Sequence, residues 1–175
     1  IDTLHDVPNS PWKCLIEAVK RDIGASGHNG SKVPKILDFA SFPNQVTKNM
    51  TKLLPNVQIY STNVSAGGVN DMKQFASEHQ IDHINASQIS GMQFKDFEDS
   101  SMDIVTCAFG LTQFSDPEHI LKEVHRVLKP GGSFIITAWD SIALERIGDA
   151  ILSGVLNNED PHIITPISNL ALYSA

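Results

Sequence analysis

The chain of 175 residues is 41% hydrophobic and carries a formal net charge of −7. That length can bury one sizeable core and suits a single domain, and the acidity argues against binding to nucleic acid or to an anionic membrane. No secretory leader and no apolar stretch long enough to span a bilayer is visible, so a soluble, cytoplasmic protein is expected.

Asn9 and Ser10 before Pro11 form a helix start, and Trp12, Leu15, Ile16, Val19 and Ile23 recur at helical spacing. Residues 1–29 are read as this N-terminal helix and a polar, glycine-rich loop, and residues 30–175 as the main domain. Residues 35–40 (KILDFA) read as a first strand, and a helix follows from about Asn44 to Leu54, closed by Pro55. Residues 57–61 give a second strand. After Gly67 and Gly68 a helix runs to about His79, and residues 82–84 form a short third strand. Residues 96–101 make an acidic loop into a fourth strand, where Ile104, Val105, Thr106, Cys107, Ala108 and Phe109 form an apolar, β-branched run.

Asp116 stands just before Pro117, an N-cap followed by proline at the first helical position. Ile120, Leu121, Val124, Val127 and Leu128 then recur on one helical face, with Lys122, Glu123 and Arg126 on the other. Pro130, Gly131 and Gly132 end that helix, and Phe134, Ile135 and Ile136 open a fifth strand. A further helix is expected over residues 141–156. Alternating strands and helices imply an α/β fold, a Rossmann-like open, mostly parallel sheet flanked by helices. Ligands bind such a sheet beyond the carboxyl ends of its strands, near the reversal of strand order.

The phrase from Val127 to Gly132 (VLKPGG), with Asp116, Pro117 and Glu118 ahead of it, resembles the fourth-to-fifth-strand segment of class I S-adenosylmethionine-dependent methyltransferases. The branch it is most similar to contains the ubiquinone and menaquinone biosynthesis enzymes and many small-molecule methyltransferases. The resemblance covers about residues 30–175 and implies S-adenosylmethionine as cofactor and a small molecule as methyl acceptor. It accounts for five of the family's seven strands, so the last two are expected to be lacking. The exposed edge of the fifth strand is then expected to self-associate into a homo-oligomer.

Position by position, the resemblance places Asp38, Phe39, Ala40, Asn63, Val64, Asn85, Ala86, Ala108 and Phe109 around the cofactor. The chain departs from the family at several of them. Asp38 is kept, but Ala40, Phe42 and Asn44 stand where a Gly-x-Gly-x-Gly loop is usual, and glycine there lets backbone pass close to the ligand at positive φ. Asn63 replaces the carboxylate that takes the ribose hydroxyls, a loss of roughly 1–2 kcal/mol of charge-assisted bonding. Asn85 replaces the aspartate that receives the adenine amino group. Two readings stay open: a working but divergent methyltransferase, and a non-catalytic homologue serving as a binding or scaffolding module. A nicotinamide-dependent dehydrogenase is disfavoured, because no Gly-x-Gly-x-x-Gly follows the first strand.

No catalytic base is assigned, because methyl transfer to a nucleophile needs positioning and desolvation more than acid–base groups. No metal site is expected: His79 and His83 have a tempting spacing but lack a third ligand. Cys14 and Cys107 lie in apolar surroundings and are read as free thiols.

Overall fold

The computed structural model describes residues 10–25, 33–40, 44–89, 94–111 and 114–138, together with the backbone of residues 170–174. In chain order the elements are α1 (Pro11–Ala25), β1 (Lys35–Asp38), α2 (Gln45–Leu53), β2 (Gln58–Asn63) and α3 (Ala66–Glu78). They continue with β3 (Ile84–Gln88), β4 (Met102–Ala108), α4 (Pro117–Val127), β5 (Leu128–Thr137) and β6 (Leu170–Ser174). The expected helix over 141–156 lies outside the described residues, as do Phe42 and Pro43.

One six-stranded sheet has the order β3-β2-β1-β4-β5-β6. The first five strands are parallel, and strand order reverses between β1 and β4. The expected Rossmann-like sheet is therefore present. To the five strands read from the sequence, the structure adds β6, antiparallel to β5 from the Ser133–Ser174 pair to the Thr137–Leu170 pair. The edge of β5 is thus covered along those residues. Self-association through that edge loses its premise there, because the ladder groups that would pair with another chain are already used.

Adjacent residues of the central strands face opposite sides, as the two-residue period requires. Ile36, Ile104 and Ile135 pack with Leu15, Val19, Val46 and Met50 from α1 and α2. Leu37, Val105 and Ile136 pack on the other side with Ile120, Val124 and Val127 from α4. Being covered on both faces is what makes β4 a near-continuous apolar run. The N-terminal helix belongs to this same core, and Ser10 caps it by accepting from Lys13 N at 3.3 Å.

Several boundaries differ from the sequence expectations. The third strand is Ile84–Gln88 and not 82–84, because its ladder with Ile59 to Asn63 of β2 fixes it while its own residues (INASQ) are mostly polar. Helix α3 starts ahead of Gly67 and Gly68, with Ser65 Oγ accepting from Gly68 N at 3.2 Å. On α4, Asp116 caps as expected, accepting from His119 N at 3.0 Å with Pro117 in the first turn. Leu121, expected on the buried face, is 43% exposed. Glu123 and Arg126, expected on the solvent side with Lys122, are instead largely buried against the loop before β4.

Candidate ligand site at the carboxyl ends of the strands

Asp38 ends β1 and is fully buried. Its Oδ1 accepts from Thr106 Oγ1 of β4 at 2.7 Å, and its Oδ2 accepts a short bond from Thr47 Oγ1 of α2. Thr47 Oγ1 also lies 3.2 Å from Ser61 Oγ of β2. One carboxylate therefore ties three strands and a helix together beneath the reversal of strand order. A buried carboxylate is tolerable only with such donors around it.

The backbone beyond Asp38 is left-handed at Ala40 (φ 53°) and again at Asn44 (φ 65°). Those are two of the positions where the resemblance puts glycines, so the glycine-type conformation persists without glycine, at a cost of about 1–2 kcal/mol for alanine. Gly110, after β4, makes room for the extra methyl: a Cβ on it would stand 2.6 Å from Ala40 Cβ and 3.1 Å from Cys107 Sγ. Cys107 itself is a core thiol. Burial is the main reason its pKa is pushed up to about 12, so it is protonated and inert at neutral pH.

Asn63 ends β2 and is buried. Its Oδ1 accepts from Ser65 N at 2.9 Å and its Nδ2 donates a long 3.4 Å bond to Asn44 Oδ1. Asn44 Nδ2 in turn donates to Gly68 O (2.8 Å) and to Asp71 Oδ2 (2.9 Å), and Lys48 Nζ pairs with the same carboxylate at 2.9 Å. The Asn44 and Lys48 bonds hold the Asp71 carboxyl below its ordinary range. Gly68 makes room for this packing, because a Cβ there would lie 2.5 Å from Asn63 Nδ2 and push the amide aside. The amides at the ends of the β1 loop and of β2 thus form one chain, Asn63–Asn44–Asp71–Lys48.

Beside it, at the carboxyl ends of β2 and β3, Thr62, Ser87, Gln88, Ile89, Phe94 and Phe97 line a cleft of about 110 Å³. Gln88 Nε2 closes onto Val64 O at 2.9 Å, and Ile89 N onto Asn63 O at 3.0 Å. A larger cleft of about 450 Å³ opens at the other end of the sheet, where Arg126 and Lys129 face Pro130 and Gly131. Both of its basic groups are already paired, Arg126 with Glu123 and Asp99, Lys129 with Asp103. It lies at the amino ends of β4 and β5, away from the reversal of strand order.

The nine residues named from the sequence are divided by this geometry. Asp38, Phe39, Ala40, Asn63 and Ala108 are buried together at the ends of β1, β2 and β4. Phe39 is a core ring, with centroids 5.3 Å from Phe94 and 6.1 Å from Phe114 and Phe134. Phe109, also left-handed at φ 58°, turns its ring to the edge of Trp12 at 5.7 Å. Val64 is exposed. Asn85 and Ala86 lie inside β3, opposite Tyr60 and Ser61, whereas Gln88 is the residue level with Asn63. The sequence reading did not single out Gln88, Ile89, Phe94 or Phe97. For the two rings the one signal was their spacing at the start of the acidic loop, Phe94 just ahead of it and Phe97 within it. Among the described residues no group of histidines, cysteines and carboxylates could hold a metal ion.

Residues 37–136 match the family of methyltransferase domains. This chain belongs to that family. It is 30% identical over 106 residues to the ubiquinone/menaquinone biosynthesis C-methyltransferase of Hahella chejuensis, which covers 58% of this chain and 41% of that protein. The chain spans less than half the length of the first curated relatives it matches. Among solved structures, an S-adenosylmethionine-dependent methyltransferase from Aquifex aeolicus aligns over 85% of this chain and 83% of its own, with a TM-score of 0.60 at 16% identity. A 4+2 cyclase, SpnF, aligns over 73% of this chain and 44% of its own, with a TM-score of 0.62 at 21% identity. These likenesses establish the class I methyltransferase fold. In this methyltransferase domain no described helix is long and apolar enough to cross a membrane.

Proposed function

We propose that this domain transfers a methyl group from S-adenosylmethionine to a small molecule, at the carboxyl ends of β1, β2 and β4, in the cytoplasm. The observation that carries the reading is the left-handed backbone at Ala40 and Asn44, a glycine-type conformation at two positions where the family usually has glycine and this sequence does not. The residues present fit the nucleoside end of the cofactor. Phe97 offers apolar surface to a base, beside the buried Ile89 and Phe94, and Ser87 and Gln88 offer polar groups at its edge. Asn63 Oδ1, which accepts from Ser65 N, stands where a ribose hydroxyl would meet the end of β2, with an amide oxygen in place of a charged carboxylate. When bound, the cofactor supplies an electrophilic methyl on a sulfonium. The protein's part is to hold the acceptor in line and exclude water, with Asp38 acting beneath the site to fix β1, β2 and β4.

Two observations favour a second reading, a non-catalytic or differently employed member of the family. The Asn63 amide is already engaged by Ser65 and Asn44, and a structural relative is named as a cyclase. Fold alone does not fix chemistry. Calorimetric titration with S-adenosylmethionine and S-adenosylhomocysteine separates the two. One-to-one binding in the micromolar range is expected for the methyltransferase. No heat and no thermal shift at millimolar ligand would overturn it in favour of the second reading.

A further inference from the structure

Two residues of α4 that do not line the nucleoside cleft are bonded to its wall. Arg126 donates from Nη2 to Phe94 O (3.1 Å) and from Nη1 to Phe97 O (3.0 Å). Its Nε and Nη2 grip both oxygens of Glu123 at 3.0 Å, and Glu123 Oε2 accepts from Phe94 N at 2.9 Å. Both the N–H and the C=O of Phe94 are therefore held by one ion pair, and the carbonyl of Phe97 by the same guanidinium. Arg126 also pairs with Asp99 at 2.6 Å, and its own carbonyl accepts from Ser100 N at 2.9 Å. Glu123 is 16% and Arg126 30% exposed at the side chain, so the pair is largely shielded from water and screened less than a surface pair. A planar guanidinium can span two carbonyls and a carboxylate at once, which a lysine ammonium cannot do in the same fixed geometry.

We propose that Glu123 and Arg126 are positioning residues for cofactor recognition: they set the place of Phe94 and Phe97, and through them the width of the nucleoside cleft. This rests on the functional reading above. The alternative within the fold is that the rings place themselves, since Phe94 is buried against Phe39 and Phe97 stands edge-on to Tyr60 at 5.7 Å. Rings alone leave the Phe94 N–H and the two carbonyls without their α4 partners. They would not fix the backbone path between Phe94 and Phe97, whose main-chain bond is Phe97 N to Phe94 O at 2.9 Å.

The test pairs S-adenosylhomocysteine affinity with peptide-resolved hydrogen exchange on the whole chain. Arg126→Ala and Glu123→Ala are expected to weaken binding about tenfold, the loss of a charged hydrogen bond. They should raise exchange over residues 94–101 while β1 and β4 stay protected. Glu123→Gln keeps the size and shape but turns one of the two acceptor oxygens into an N–H donor facing Arg126 or Phe94 N, and should fall between wild type and Glu123→Ala. Arg126→Lys keeps the charge, protects the fold against collapse and should fall in between. Equal affinity in wild type and Arg126→Ala, with wild type binding, would overturn the positioning role and leave the functional reading standing. Wild type that does not bind would overturn the functional reading, and this inference with it. Affinity lost together with protection across the whole sheet, in both Arg126→Lys and Glu123→Gln, would make the pair merely structural and also overturn it.

Discussion

The crossover from β4 through α4 to β5 and the ligand end of β1 and β2 are built in opposite ways. In the crossover, near neighbours in sequence do most of the work. Asp116 caps three residues on, Pro117 opens the helix, and Ile120, Val124 and Val127 recur on the buried face. At the ligand end, the bonds that matter join residues far apart in sequence: Asp38 with Thr106, Asn44 with Asp71, Asn63 with Asn44. A region made of local rules tolerates a wrong residue on its outer face. A region made of distant polar contacts has no spare partners, because each buried group relies on one or two named donors.

That contrast can be broken first at Asp38. Asp38→Ala would leave the hydroxyls of Thr106 and Thr47 without their shared acceptor. It is expected to lower unfolding free energy by roughly 2–5 kcal/mol, read from urea midpoints. A loss below about 1 kcal/mol would mean water replaces the carboxylate and the ligand end is looser than its contacts imply. Gly68→Ala is expected to cost less, about 1–3 kcal/mol from overpacking, because the new methyl collides with a side-chain amide that can turn. It should also disturb the Asn63–Asn44 pair, visible as shifted side-chain amide resonances of both residues. Unchanged resonances would show that the chain of amides is not tight. The smallest effect is expected in the crossover: Leu121→Ala should stay within about 0.5 kcal/mol of wild type, despite the place that periodicity gives it on the apolar face. A cost of about 2 kcal/mol or more would mean that something covers that face.

The fold was legible because the pattern that builds it is periodic and short-ranged. Apolar runs found four of the five parallel strands, although β5 begins at Leu128 and takes in residues 130–132, the turn expected to end the helix. The N-terminal signals of α4 were met atom by atom. The strand read poorly was β3. As the outermost strand of the parallel series it pairs, among the described residues, on one side alone, so its residues need not be apolar, and a ladder with β2 places it instead. The same blindness hid β6, which is fixed by pairing with β5. Of the candidate site, the sequence marked Asp38, Ala40 and Asn63 through family resemblance but carried nothing of what stands level with Asn63. Register, which decides that Gln88 and not Asn85 does so, is a relation between strands and cannot be seen along one of them.

By itself, then, the sequence determined the alternation of strands and helices, the capped α4, the two-sided burial of β4 and the departures from the glycine loop. Each of these is a statement about residues within a few positions of one another, where propensity, capping and hydrophobic period act. The tertiary structure alone decided three things: the left-handed turns at Ala40 and Asn44 with Gly110 making room, the chain of amides from Asn63 to Lys48, and the recruitment of Glu123 and Arg126 from a nominally polar helix face to hold Phe94 and Phe97. The physical reason is the same in each case. A buried polar group must be satisfied by whatever donor or acceptor the fold brings within about 3 Å, and that partner is chosen by packing and not by sequence distance.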